Sequence, residues 1–126
     1  MFTHVMVGAN DIDASKAFYD ATMAALGGEP AREHRGRYFY HHKGSRLAIT
    51  KPINGEAATP GNGMTISILG DSPEQVDAWH EAGLAAGGTP CEDPPGIRQA
   101  SLGAVYMAYL RDPAGNKLCV MHKLPA

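Results

Sequence analysis

Long apolar runs are missing from this chain of 126 residues. No stretch approaches the roughly 20 consecutive apolar residues that a membrane-crossing helix needs. The opening segment MFTHVMVGAND also lacks the basic start and apolar core of a secretory leader. A cytoplasmic protein without membrane association is expected. Cysteine is scarce as well: Cys91 and Cys119 lie in different predicted strands with no CxxC spacing, which argues against a disulfide scaffold or a zinc knuckle and for a reducing compartment. Charge of one sign is absent in any concentration. The formal net charge is -2, and the nearest thing to a basic patch, Arg32, Arg35 and Arg37, is interrupted by Glu33 and reads as a solvated strand face. No nucleic-acid partner is expected. Also absent are a GxSxG elbow, a Walker-type glycine loop and an HExxH zinc helix, so those three chemistries have no sequence support.

What the chain does contain is an internal repeat. At an offset of 60 residues, the run from His4 lies over Met64, Tyr19 over Trp79, and Gly27-Gly28-Glu29-Pro30 over Gly87-Gly88-Thr89-Pro90. At an offset of 71, Tyr38 to Ile49 lies ungapped over Tyr109 to Val120. The change of offset implies an insertion of 11 residues in the second copy, between Cys91 and Met107.

Each copy reads as a strand, a helix and three strands. His4 to Gly8 and Met64 to Leu69 are short apolar runs bounded by turn residues, the pattern of buried strands. The first helix is predicted with an apolar stripe of Ala14, Ala17, Phe18, Ala21, Ala25 and Leu26, capped by Asn10 or Asp11. The second starts at Ser72-Pro73-Glu74-Gln75, a capping serine, a proline in the first turn and a glutamine able to close a capping box, and buries Val76, Trp79, Gly83 and Ala86. Both end at a glycine pair suited to a left-handed cap. The predicted strands are then Glu29 to Arg35, Arg37 to His42 and Arg46 to Pro52, followed by Thr89 to Glu92, Val105 to Arg111 and Lys117 to His122. The expected organisation is one domain over residues 1–126, with module 1 at about 1–53, a linker at about 54–62 and module 2 at about 63–126.

Two βαβββ units, a first helix carrying Ser15 and Phe18-Tyr19, and the closing turn Arg111-Asp112-Pro113-Ala114-Gly115-Asn116 resemble the vicinal-oxygen-chelate superfamily, which includes glyoxalases, bleomycin resistance proteins and extradiol dioxygenases. The resemblance covers nearly the whole chain. It implies an α+β fold in which two βαβββ modules form curved mixed sheets around a cavity, usually in a homodimer whose modules pair within a chain or across it. It further implies four places for metal ligands, on the first and last strand of each module. Those places hold His4, Ala48, Met64 and Cys119. Only His4 keeps the expected chemistry. Ala48 offers no donor, Met64 a soft thioether, and Cys119 stands where relatives carry a carboxylate. Such a set suits no hard divalent ion, although Cu(I) or Zn is conceivable. The plainer reading makes His4 a hydrogen-bonded strand histidine and Met64 and Cys119 apolar lining.

Three further residues are candidates. Tyr38 and Tyr109 match across the repeat, each ten positions before Ala48 or Cys119, and extradiol dioxygenases carry an active-site tyrosine at that spacing. They would orient or stack on a ligand, unless they are core aromatics with hydroxyls at the rim. Arg98, in the inserted loop expected to act as a lid, could clamp a carboxylate, unless it is a solvated loop residue. The pair His41-His42 would point to opposite faces of a strand and cannot chelate one ion locally. The resulting expectation is a protein that binds a small organic ligand through His4, Tyr38, Ala48, Met64, Arg98, Tyr109 and Cys119, with no cofactor, a divalent metal being disfavoured, and no catalytic residue assigned. The alternatives are a metal-dependent lactoylglutathione lyase-like enzyme, an isomerase or a ring-cleaving dioxygenase, and a dimeric accessory or sensor protein.

Overall fold

A computed structural model describes residues 1–101 and 103–125. The order is β1 (Val5–Gly8), α1 (Ile12–Ala25), β2 (Arg32–His34), β3 (Arg37–His42), β4 (Ser45–Thr50), β5 (Ile66–Leu69), α2 (Pro73–Ala85), β6 (Thr89–Pro90), β7 (Gly96–Ala100), β8 (Gly103–Arg111) and β9 (Lys117–Lys123). Two mixed sheets result. The first has the order β1-β4-β3-β2, with β1 parallel to β4; the second has β5-β9-β8-β6, with β5 parallel to β9 and β7 paired to β8. Each helix packs on its own sheet, and the two helices pack on each other. The helix-facing residues of both sheets thus join one apolar core that runs from Val7, Leu47 and Ile49 through Phe18, Tyr19 and Trp79 to Leu110, Leu118 and Val120.

The helix ends follow the sequence closely. Asp11 caps α1 by accepting the Ala14 N–H at 3.1 Å, while Asn10 exchanges two hydrogen bonds with the backbone of Ala58 in the linker. Ser72 caps α2 by accepting from the Gln75 N–H at 3.1 Å. The Gln75 side chain reaches the Asp71 N–H, one residue earlier than a capping box requires. Gly27 and Gly87 take the expected positive φ of 76° and 100°. The buried stripe of α1 differs from the predicted one: Ser15, Phe18, Tyr19, Thr22 and Met23 are buried, and Ala17 is exposed. Alanine counts as apolar in a periodicity but loses little when solvated, so the large side chains choose the face.

The inserted segment corrects the sequence reading. It forms β7 and pairs with the first half of β8, whereas β6 takes the second half at Pro90↔Leu110 and Thr89↔Arg111. Residues Gly96–Ala100 of the expected loop are therefore a sheet-bound strand. Its backbone donors and acceptors are met by lengthening β8 to nine residues.

The D-P-A-G-N turn does more than reverse the chain. Buried Asp112 accepts the Tyr19 hydroxyl at 2.6 Å and the backbone N–H groups of Ala114 and Asn116 at 2.9 Å. The Asn116 amide donates both to Asp112 and to the Gly8 carbonyl, at 2.9 Å each. One carboxylate thus fixes the β8–β9 turn, α1 and the end of β1. Burial, and then the Asp112 charge, push the Tyr19 phenol well above its usual range, which keeps it a donor.

Candidate functional site

The register decides which side chains face away from the helices. In the second sheet, Tyr109 pairs with Cys119, Met107 with Met121 and Val105 with Lys123, and Ser67 lies beside Cys119. Leu118 and Val120 belong to the helix-side core, so Cys119 and its partners occupy the opposite, open face. Val105, Met107 and Cys119 form a buried apolar cluster there, flanked by Tyr109 and Met121. Lys117 stands 5.0 Å from the centroid of the Tyr109 ring and is paired with Glu92. The result is a buried apolar cluster edged by one partly exposed aromatic ring with a cation over it.

Arg98 pairs with Val105 and so lies on the same face. Its Nη2 donates to the carbonyls of Asp93 and Pro94 at 2.9 and 2.8 Å. The guanidinium therefore braces its own loop.

In the first sheet, Phe39 pairs with Ala48, and Ala48 with Met6, on the open face. The His4 ring meets Phe39 edge-on at 5.9 Å, which places it on that side too, and its Nδ1 lies 3.1 Å from the Thr3 hydroxyl. Tyr38 pairs with Ile49, a core residue, and therefore faces α1, where Lys16 Nζ lies 5.5 Å from its ring centroid. Tyr38 and Tyr109 match in sequence but stand on opposite faces of their sheets. The cause is hairpin length. His42 pairs with Ser45 across a two-residue turn, whereas Arg111 pairs with Lys117 across five residues, and the sums of paired positions shift the register of the second hairpin by one. A shift of one residue turns a side chain to the other face. Phe39 is the structural counterpart of Tyr109. Comparing the Lys43-Gly44 turn, whose two positive φ values fit a type I′ hairpin, with the longer D-P-A-G-N turn would have revealed this from sequence.

The four positions expected around a metal are divided between the sheets. His4 and Ala48 belong to the first, Cys119 to the second, and Met64 precedes β5, 57% exposed, in a concavity with Arg111 and Lys117. The donor set does not fit a hard divalent ion, because it comprises one imidazole, one thioether, one thiol and a methyl group. Burial pushes the Cys119 thiol up, against the thiolate that a ligand or base would need. Among the described residues, no group of three or more His, Cys, Asp and Glu side chains is placed to share an ion.

The profile of the Glyoxalase/Bleomycin resistance protein/Dioxygenase superfamily matches residues 1–120. A glyoxalase/bleomycin resistance protein from Albidiferax ferrireducens T118 has a crystal structure similar to this one, with a TM-score of 0.94 and 54% identity over 98% of this chain and 99% of that chain. A glyoxalase-related enzyme from Fulvimarina pelagi is similar with a TM-score of 0.72 and 23% identity, over 98% of this chain and 88% of that one. A lactoylglutathione lyase from Agrobacterium tumefaciens gives 0.64 and 24%, over 97% and 92%. The last two likenesses concern the fold alone. No curated protein matches the chain.

Proposed function

Because the chain belongs to the glyoxalase/bleomycin resistance protein/dioxygenase superfamily, we propose that it binds a small organic ligand on the open faces of its sheets without a divalent metal. The observation that carries this reading is the donor set. However the modules pair, His4, Ala48, Met64 and Cys119 bring only one imidazole and no carboxylate. What the open face offers instead is an apolar floor of Val105, Met107 and Cys119 with the Tyr109 ring beside it, a lining suited to a planar ligand. His4 and Phe39 supply a second aromatic wall from the first sheet.

A homodimer is part of the proposal. Phe2, Met64 and Leu69 are more than half exposed, and Met6 is exposed beside Ala48, so apolar surface surrounds the candidate ligand face. A second copy laid against it would enclose both the ligand and that surface.

The test combines metal analysis with a probe. Protein purified without chelator should hold only traces of divalent metal, and 2-naphthol should bind saturably and equally well in EDTA. A stoichiometric divalent ion, or binding and turnover that vanish with chelator, would refute the metal-free reading. A monomer in sedimentation at micromolar concentration would remove the dimer from it.

A further inference from the structure

Between the edge strands β1 and β5 runs a groove of about 330 Å³, near the lower end of the roughly 300–1,000 Å³ typical of ligand pockets. It lies at the seam of the two modules and shares His4 and Ser67 with the ligand faces, and Phe2 and Leu69 with the exposed apolar surface, discussed above. Its walls are apolar: Val5 and Leu47 come from the first sheet, Ile66 and Ile68 from the second, and Met23 of α1 from the helix layer. Four of its six polar lining residues, His42, Lys43, Ser45 and Arg46, come from the tight β3–β4 hairpin, and His4 and Ser67 are the others.

The charge on that hairpin has one sign. Among the described residues, no carboxylate lines the groove. Lys43 is neutralised by Asp71 at 2.6 Å just outside it, whereas Arg46 has no carboxylate partner among the described residues. His42 alternates with Tyr38 and Tyr40 and so turns to the helix side, whereas Arg46 pairs with His41 on the other side, which leaves Arg46 as the group free to meet an anion.

We infer that this groove is a second binding site, for a small amphipathic carboxylate whose apolar body lies between β1 and β5 and whose anionic head meets Arg46. The pairing of apolar walls with an arginine that has no carboxylate partner among the described residues carries the assignment, because an uncharged apolar ligand would leave Arg46 unused.

Octanoate is the probe, with 1-octanol as its uncharged counterpart, followed by methyl NMR of the full-length protein. Octanoate should shift the signals of Leu47, Ile66 and Ile68, and octanol should bind more weakly. Arg46 is exposed, so Arg46→Glu should fold normally and weaken octanoate at least about fivefold by replacing attraction with repulsion. Phe2→Ala, at the rim, should weaken both probes alike. Equal binding of octanol and octanoate, or an unchanged octanoate affinity in Arg46→Glu, would overturn the anion site. Octanoate shifts confined to Val105, Met107 and Met121 would place the ligand on the open face and overturn the seam site. The 2-naphthol experiment reads that open face separately, so the two proposals can fail independently.

Discussion

The two sheets of this chain follow one plan, yet their open faces carry different chemistry. The first presents Phe39, Ala48 and an exposed Met6, with His4 at the edge; the second presents a buried cluster of Val105, Met107 and Cys119 with Tyr109 over it. The difference traces to the longer turn of the second hairpin, whose register is shifted by one position, which carries Tyr109 to the open side while its sequence counterpart Tyr38 stays under α1. A repeat in sequence is thus not a repeat in side-chain direction, because a strand converts a one-residue shift of register into a change of face.

The most severe way to break the comparison is to remove what holds the longer turn. Asp112→Ala should cost about 3 kcal/mol in urea denaturation, because the Tyr19 hydroxyl and two turn N–H groups lose a charged acceptor in a buried place. Asp112→Asn should recover part of that loss. A cost below about 1 kcal/mol for the alanine variant would mean that this carboxylate is not the organiser of the turn.

Next in size is the tyrosine pair. Tyr109→Ala should weaken 2-naphthol about tenfold, with little change in stability. Tyr38→Ala should leave 2-naphthol binding unchanged and lower stability by about 1–2 kcal/mol, since its ring is packed against the core. Equal loss of binding in both variants would show that the two rings act on the same side after all.

A smaller effect separates the two cysteines. Burial disfavours the Cys119 thiolate, so its alkylation should be slow at pH 8 and rise only as pH climbs past the ordinary thiol range near about 8.5. The half-buried Cys91 should be modified first. Peptide mapping after iodoacetamide reads both, and rapid labelling of Cys119 at pH 8 would contradict its burial between Tyr109 and Ser67.

The smallest effect is expected at Arg98. Arg98→Ala should leave 2-naphthol affinity within about twofold while exposing the loop at Asp93 and Pro94 to protease. A large loss of affinity with an intact loop would restore Arg98 to the ligand.

Much of this architecture was legible in the residues. Ser72-Pro73 gave the start of α2, the glycine pairs marked the ends of both helices, and the repeat fixed the order of strands. The faces were less legible, because an ungapped alignment from Tyr38 to Ile49 conceals where a turn has grown. β7 was missed for a similar reason: Gly96–Ala100 has no strong alternation, and its strand state depends on the edge that a lengthened β8 provides. The groove at the seam could not be read at all, since Val5, Met23 and Ile66 lie far apart in sequence and meet only when the modules are side by side.

The path of the segment between the sheets also bears on how the protein can be engineered. Gly8 has no side chain where Ala58 crosses it: an added Cβ would lie 2.7 Å from that of Ala58, and Asn10 grips the same residue from both sides of its peptide backbone. A reporter domain spliced in at Ile53, which is 89% exposed, would leave this crossing intact, whereas the same splice at Ala58 would unseat it.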